Sequence, residues 1–118
     1  MLIKTILIAL LGVFFILNGI NHFYNEKMLE EYAEKRGLFS PQLAVRLAGI
    51  LLIGGGVALM IEEFRVIGVL SLSFFLLMAT FTIHRFWEEK DKYDRMLELM
   101  NFAKNLAILT ELVYIGFV

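Results

Sequence analysis

The chain has 118 residues, of which 59% are hydrophobic, with a mean hydropathy of +0.75 and a formal net charge of −1. A soluble domain is about 45–50% apolar, so the excess points to lipid, and the near-neutral charge leaves no general basic surface for nucleic acid. There is no cysteine, which excludes a disulfide, a thiolate metal site and a thiol nucleophile within this chain.

The apolar residues come in blocks. Thr5 to Asn25 carries no formal charge, and the same is true of Leu47 to Ile61 and Val66 to Ile83; Asn105 to Val118 is interrupted only by Glu111. About 20 apolar residues cross a bilayer core as a helix, so four such blocks predict four transmembrane helices. The first is expected over about residues 2–23. Its run is long and lacks a small-x-small cleavage site before "INHFY", so it reads as a retained helix rather than a signal peptide.

The stretch "YNEKMLEEYAEKRGLFS" follows. Met28, Leu29, Tyr32 and Ala33 recur in it at helical spacing between charges, which predicts a short interfacial amphipathic helix. Ser40-Pro41 predicts a helix start, with Ser as cap and Pro at the first helical position. The second span is expected over about 41–61, a tight turn at "EEF", and the third span over about 64–86. After the polar loop "WEEKDKYDRMLELM" the fourth span is expected over about 93–118. The fold class is thus all-α: an integral membrane four-helix bundle, up-down-up-down, with a short interfacial helix after helix one. One transmembrane domain occupies residues 1–118.

Lysine and arginine are unevenly shared. Lys27, Lys35, Arg36, Arg46, Arg85, Lys90, Lys92, Arg95 and Lys104 fall on the end with the two long loops, against Lys4 and Arg65 on the other. The positive-inside rule predicts a multi-pass protein of the cell (plasma or inner) membrane, with long loops cytoplasmic and both termini outside.

That topology brings scattered polar residues to one depth. Asn18, Asn21 and His22 on helix one, Arg46 on helix two, Thr80, His84 and Arg85 on helix three, and Asn101, Lys104 and Asn105 on helix four all belong to the long-loop end. Spacings of three or four residues place each set on one helical face. The expected site is a ligand-binding pocket of His22, Arg46, His84, Lys104 and Asn105. Glu111 lies ten residues past Asn101, about 15 Å deeper at 1.5 Å per residue. A carboxylate there costs at least ~2.5 kcal/mol unless protonated, paired or hydrated. It is the candidate catalytic group, for proton handling, on the pocket floor. No phosphate loop, catalytic triad or metal motif is present, so the chain shows no enzyme motif of its own and no metal site. Snorkelling of Arg46 and Lys104 to headgroups, and asparagines that only join helices, are the plain alternatives.

Several segments carry a resemblance. "FFILNGINHF" ends helix one, Pro41 and Arg46 precede a glycine-rich run, "FRVIGVLSLS" follows the tight turn, and "NFAKNLAIL" with Lys104-Asn105-Leu106 opens helix four. Together they resemble the DoxX family of small four-helix membrane proteins, including the DoxD-like subunits. The chain departs at "RLAGILL", where the family often has a Glu, and at Thr110-Glu111, where it often has Gly-Gly. The resemblance implies a membrane subunit of a redox complex, a quinone-linked oxidoreductase. Quinone is then the expected ligand, other membrane or redox subunits the expected partners, and any electron-carrying cofactor lies outside this chain. The residues alone leave open a non-catalytic accessory or structural subunit of a larger complex, a lipid or hydrophobic small-molecule binder, and a homo-oligomer.

Overall fold

The computed structural model describes residues 2–117. The chain is all-helical: α1 (Leu2–Tyr24), α2 (Glu26–Lys35), α3 (Pro41–Met60), α4 (Arg65–Thr82) and α5 (Lys92–Phe117), with single 3-10 turns at Glu62–Phe64 and Phe86–Glu88. Among the described residues three segments are long and apolar enough to cross a membrane: Leu2–Tyr24, Pro41–Met60 and Glu62–Glu88. α5 is as long as these, but Glu98, Lys104 and Glu111 dilute its apolar content. Only 28–33% of the three candidate spans is buried inside the protein. Most of their apolar surface, such as Leu70 and Phe74, therefore faces outward, as a lipid-exposed helix requires.

The four long helices share one core. Ile8, Leu11 and Phe15 of α1 meet Leu52 and Leu59 of α3, Val69, Leu72 and Leu76 of α4, and Leu112 and Ile115 of α5. Along each helix these residues fall three, four or seven positions apart, so each presents one apolar stripe inward. α1 packs on α3, α3 on α4 and α4 on α5.

Neighbours run antiparallel, as the paired positions show. Gly12 lies against Gly56 and Met60, while Gly19 lies against Gly49 and Ile53. A Cβ on Gly19 would stand 2.8 Å from the Gly49 carbonyl oxygen and 2.9 Å from the Ile53 nitrogen. The two backbones nearly touch there, which only small residues permit.

α2 ends in a Schellman motif. Gly37 (φ 78°) supplies the left-handed residue, its N–H donates to the Glu34 carbonyl at 2.9 Å, and the Leu38 N–H donates to the Ala33 carbonyl at 3.1 Å. Two local expectations come out differently. Ser40 precedes Pro41, but its backbone is left-handed (φ 50°) and its side chain makes no cap. α4 ends at Thr82 rather than near residue 86, because the Ile83 and His84 N–H groups both turn to the Ala79 carbonyl and close the last turn.

Candidate functional site

The polar site lies at the long-loop end, where α2 meets α5. Its centre is Glu98, a carboxylate only 4% exposed. Glu98 is buried because it continues the inward stripe of α5: Glu98, Asn105 and Leu112 follow at seven-residue intervals, all buried. Two groups of α2 are aimed at it by their i, i+4 spacing. The Tyr32 hydroxyl donates to Glu98 Oε1 at 2.7 Å, and Arg36 Nη2 donates to Oε2 at 2.7 Å. Asn101 Nδ2 stands 3.4 Å from Oε1, and His84 Nδ1, from the end of α4, is 3.5 Å from the same oxygen.

The second arm of the Arg36 guanidinium holds Glu89. Arg85 Nη2 donates to the Arg36 carbonyl at 2.6 Å and pairs with Glu88 at 3.5 Å. The α4–α5 connection is thereby tied to the end of α2. Edge-on ring contacts support it from the apolar side: Phe81, Phe86 and Trp87 all pack against Phe102 with centroids 5.3–5.9 Å apart.

The electrostatics follow from burial around one hub. Burial pushes the Tyr32 phenol up to about 12, and the neighbouring Glu98 adds to the rise while Arg36 opposes it. The phenol is thus a proton donor to Glu98 over the whole physiological range. For Arg36, burial works against the charge, but contacts with Tyr32 and Glu89 and the charge of Glu98 outweigh it and raise its pKa. The cluster borders a half-open cavity of ≈ 300 Å³ lined by Tyr32, Lys35, Arg36, Glu89, Asp94, Leu97 and Glu98. Such an arrangement ties α2 to the start of α5 through one buried carboxylate, sets the His84 imidazole beside it, and opens it to water through the cavity.

The six residues singled out from the sequence do not converge on one pocket. His84 joins the Glu98 cluster. Asn105 is buried one stripe position inward of it. His22 is half-buried; its Nδ1 lies 2.8 Å from the Asn18 carbonyl and its ring packs edge-on to Phe75. Arg46 is exposed and pairs with Glu26 of α2 rather than lining a pocket with the others. Lys104 is exposed, and Glu111 is half-buried with no hydrogen bond or ion pair among the described residues. Tyr32, Arg36, Glu89 and Glu98 are the residues that sequence reasoning passed over. The seven-residue recurrence of Glu98, Asn105 and Leu112 carried the signal for Glu98. Nothing in the spacing marks Arg36 or Glu89, which meet only because α2 folds back across the bundle end. Among the described residues no group of three or more His, Asp or Glu is placed to hold a metal ion.

One family model, DoxX, matches residues 5–85. The match runs from the first turn of α1 through Arg85 and stops before α5. The Lys104-Asn105-Leu106 segment and Glu98 therefore lie beyond it. Comparison with curated proteins and with solved structures found no match.

Proposed function

The chain belongs to the DoxX family, and from that membership we propose that it is the membrane subunit of a quinone-linked redox complex. In this reading α1, α3, α4 and α5 form an up-down-up-down bundle across the cell membrane. α2 lies at the interface, the long-loop end is cytoplasmic and the termini are outside, in line with the lysine and arginine count. The observation that carries the proposal is the Glu98–His84 pair, a buried carboxylate 3.5 Å from an imidazole beside an open cavity. Quinone reduction consumes two protons with two electrons. This chain supplies the protons and the position, and a partner subunit supplies the electrons.

The residues fit such a ligand on their own chemistry. The His84 ring turns Nδ1 to Glu98 Oε1 at 3.5 Å and makes no hydrogen bond through Nε2 among the described residues, which leaves Nε2 for a quinone carbonyl. Glu98, refilled from water through the cavity, returns the proton to His84. Glu111, on the α5 flank, is a second proton-handling group, deeper in the bundle. His22, Arg46 and Lys104 lie outside this reading.

Two other readings each rest on one feature. A non-catalytic accessory subunit is favoured by the engagement of Glu98 with Arg36 and Tyr32, which is what a purely structural clamp looks like. A lipid or hydrophobic small-molecule binder is favoured by a groove of ≈ 220 Å³ between α3 and α4, lined by Leu51, Gly54, Gly55, Ala58, Ile67, Gly68 and Ser71. The deciding experiment purifies the chain gently from native membranes with its co-purifying oxidoreductase and assays quinone reduction. Glu98→Gln and His84→Asn are expected to leave the complex assembled on a native gel and to slow quinone reduction by about 100-fold, the usual weight of a proton-transfer group. Full activity in both variants, or no co-purifying oxidoreductase, overturns the proposal.

A further inference from the structure

A hydroxyl on a membrane helix is ordinarily satisfied by its own backbone, because lipid offers nothing else. Two threonines here follow that rule. Thr82 Oγ1 donates to the Met78 carbonyl at 2.5 Å, and Thr110 Oγ1 donates to the Ala107 carbonyl at 2.7 Å. Thr80 does not. It is 1% exposed, and its Oγ1 has no hydrogen-bond partner.

Thr80 is not alone in this. Across the α4–α5 interface, Phe81 packs on Phe102 and Val69 lies beside Gly116. That antiparallel register sets Thr80 opposite the stretch ending at Asn105. Asn105 is 7% exposed, and no hydrogen bond to its amide exists among the described residues. Two buried polar residues whose side chains make no hydrogen bond among the described residues, Thr80 and Asn105, thus stand at one level of one interface, just inside the Glu98 cluster. Buried polar groups are nearly always paired, and leaving one unpaired costs free energy.

We propose that Thr80 and Asn105 form an internal site that binds one uncharged oxygen, either an ordered water or the carbonyl oxygen of a ligand entering from the long-loop end. A hydroxyl and an amide together offer donors and acceptors, matching an oxygen that makes two to four hydrogen bonds. Neither side chain carries a formal charge, so the oxygen they suit is neutral. The water arm stands independently of the quinone reading. The ligand arm deepens that reading by placing the ligand's oxygen one turn inside His84.

The test is the unfolding midpoint of the purified full-length chain in lipid nanodiscs. Thr80→Val keeps the shape and removes the hydroxyl. If the site is filled, the variant strands the bound oxygen and its midpoint falls by about 4 °C, while Thr80→Ser restores most of the loss. If the hydroxyl is simply orphaned, Thr80→Val is as stable as the parent or more so, and that result overturns the proposal. Should Thr80→Val not fold, Thr80→Ser is compared with Thr80→Ala, and equal midpoints overturn it equally. Adding a short-chain benzoquinone separates the two sources. A stabilising shift in the parent that disappears in Thr80→Val assigns the oxygen to a ligand. A drop in Thr80→Val with no quinone shift in the parent assigns it to water. Because the readout is stability without any redox partner, its failure leaves the Glu98 and His84 activity assay untouched.

Discussion

The α1–α3 pair and the α2–α5 junction are held by opposite means. Between α1 and α3, Gly12, Gly19, Gly49 and Gly56 bring backbones together, and the contacts around them are apolar. At the other junction α2 adds no residue to the core cluster, and its buried residue is Ala33. What fastens α2 is a set of charge-assisted bonds: Tyr32 and Arg36 to Glu98, Arg36 to Glu89, and Arg46 to Glu26. The first kind of contact depends on shape and is indifferent to pH and salt. The second depends on the charge of a few groups.

The largest effect is expected where shape alone decides. Gly19→Leu puts a side chain into the Gly49 carbonyl and Ile53 backbone, which cannot yield as a flexible side chain would. It is expected to cost about 3 kcal/mol or more in unfolding from detergent micelles, with no dependence on salt. A loss below about 1 kcal/mol would mean that α1 and α3 do not approach as closely as described, and would end the comparison at its apolar side.

Next comes the clamp. Arg36→Met leaves Glu98 buried without its cation, and breaking one partner of a buried pair typically costs about 3–5 kcal/mol. Arg36 is still partly exposed, at 15% for its side chain, so the lower end of that range is expected. Replacing both partners, Arg36→Met with Glu98→Leu, is expected to cost less than Arg36→Met alone, because no charge is then stranded. A double variant worse than both single variants would assign the junction to packing and erase the contrast with α1–α3.

The smallest effect is a titration. The Tyr32 phenol titrates near 12 in the folded chain, against about 10 for a free tyrosine. Its neutral form is the one that donates to Glu98. The stabilisation is fully present below pH 10 and is lost as pH rises toward 12. Ultraviolet absorbance of the phenolate should show a step near pH 12, and Tyr32→Phe should remove it. If the parent and Tyr32→Phe differ by no such step, the Tyr32–Glu98 bond is not formed in solution.

Much of the fold was legible in the residues. The uncharged runs mark α1, α3 and α4, Pro41 marks the start of α3, and Met28, Leu29, Tyr32 and Ala33 mark the helix at α2. Each of these is a local pattern, and in lipid the local pattern governs because backbone groups must be satisfied within the helix. The candidate site was legible only in part. Asn105 falls beside the polar cluster because it occupies the inward stripe of α5, and His84 falls within it because the chain just past the end of α4 runs beside Glu98. Arg46 was read as an inward group, yet α2 offers it Glu26 at the surface, a nearer and cheaper partner than a carboxylate inside the bundle. Glu98 escaped notice because "YDRMLELM" reads as a water-exposed start of a helix, and its charge outweighed its register.

The residues by themselves marked a helical membrane protein of four apolar blocks, because hydrophobic length is a property of consecutive positions; among the described residues three of the four are long and apolar enough to cross, the charges of α5 setting the fourth apart. Only the tertiary structure decided which charge is buried. Glu98 and Glu111 are both glutamates on one helix, thirteen positions apart. Glu98 is enclosed because α2 and the α4–α5 connection converge on it and bring Tyr32 and Arg36, and that convergence depends on how distant segments pack rather than on any spacing along the chain.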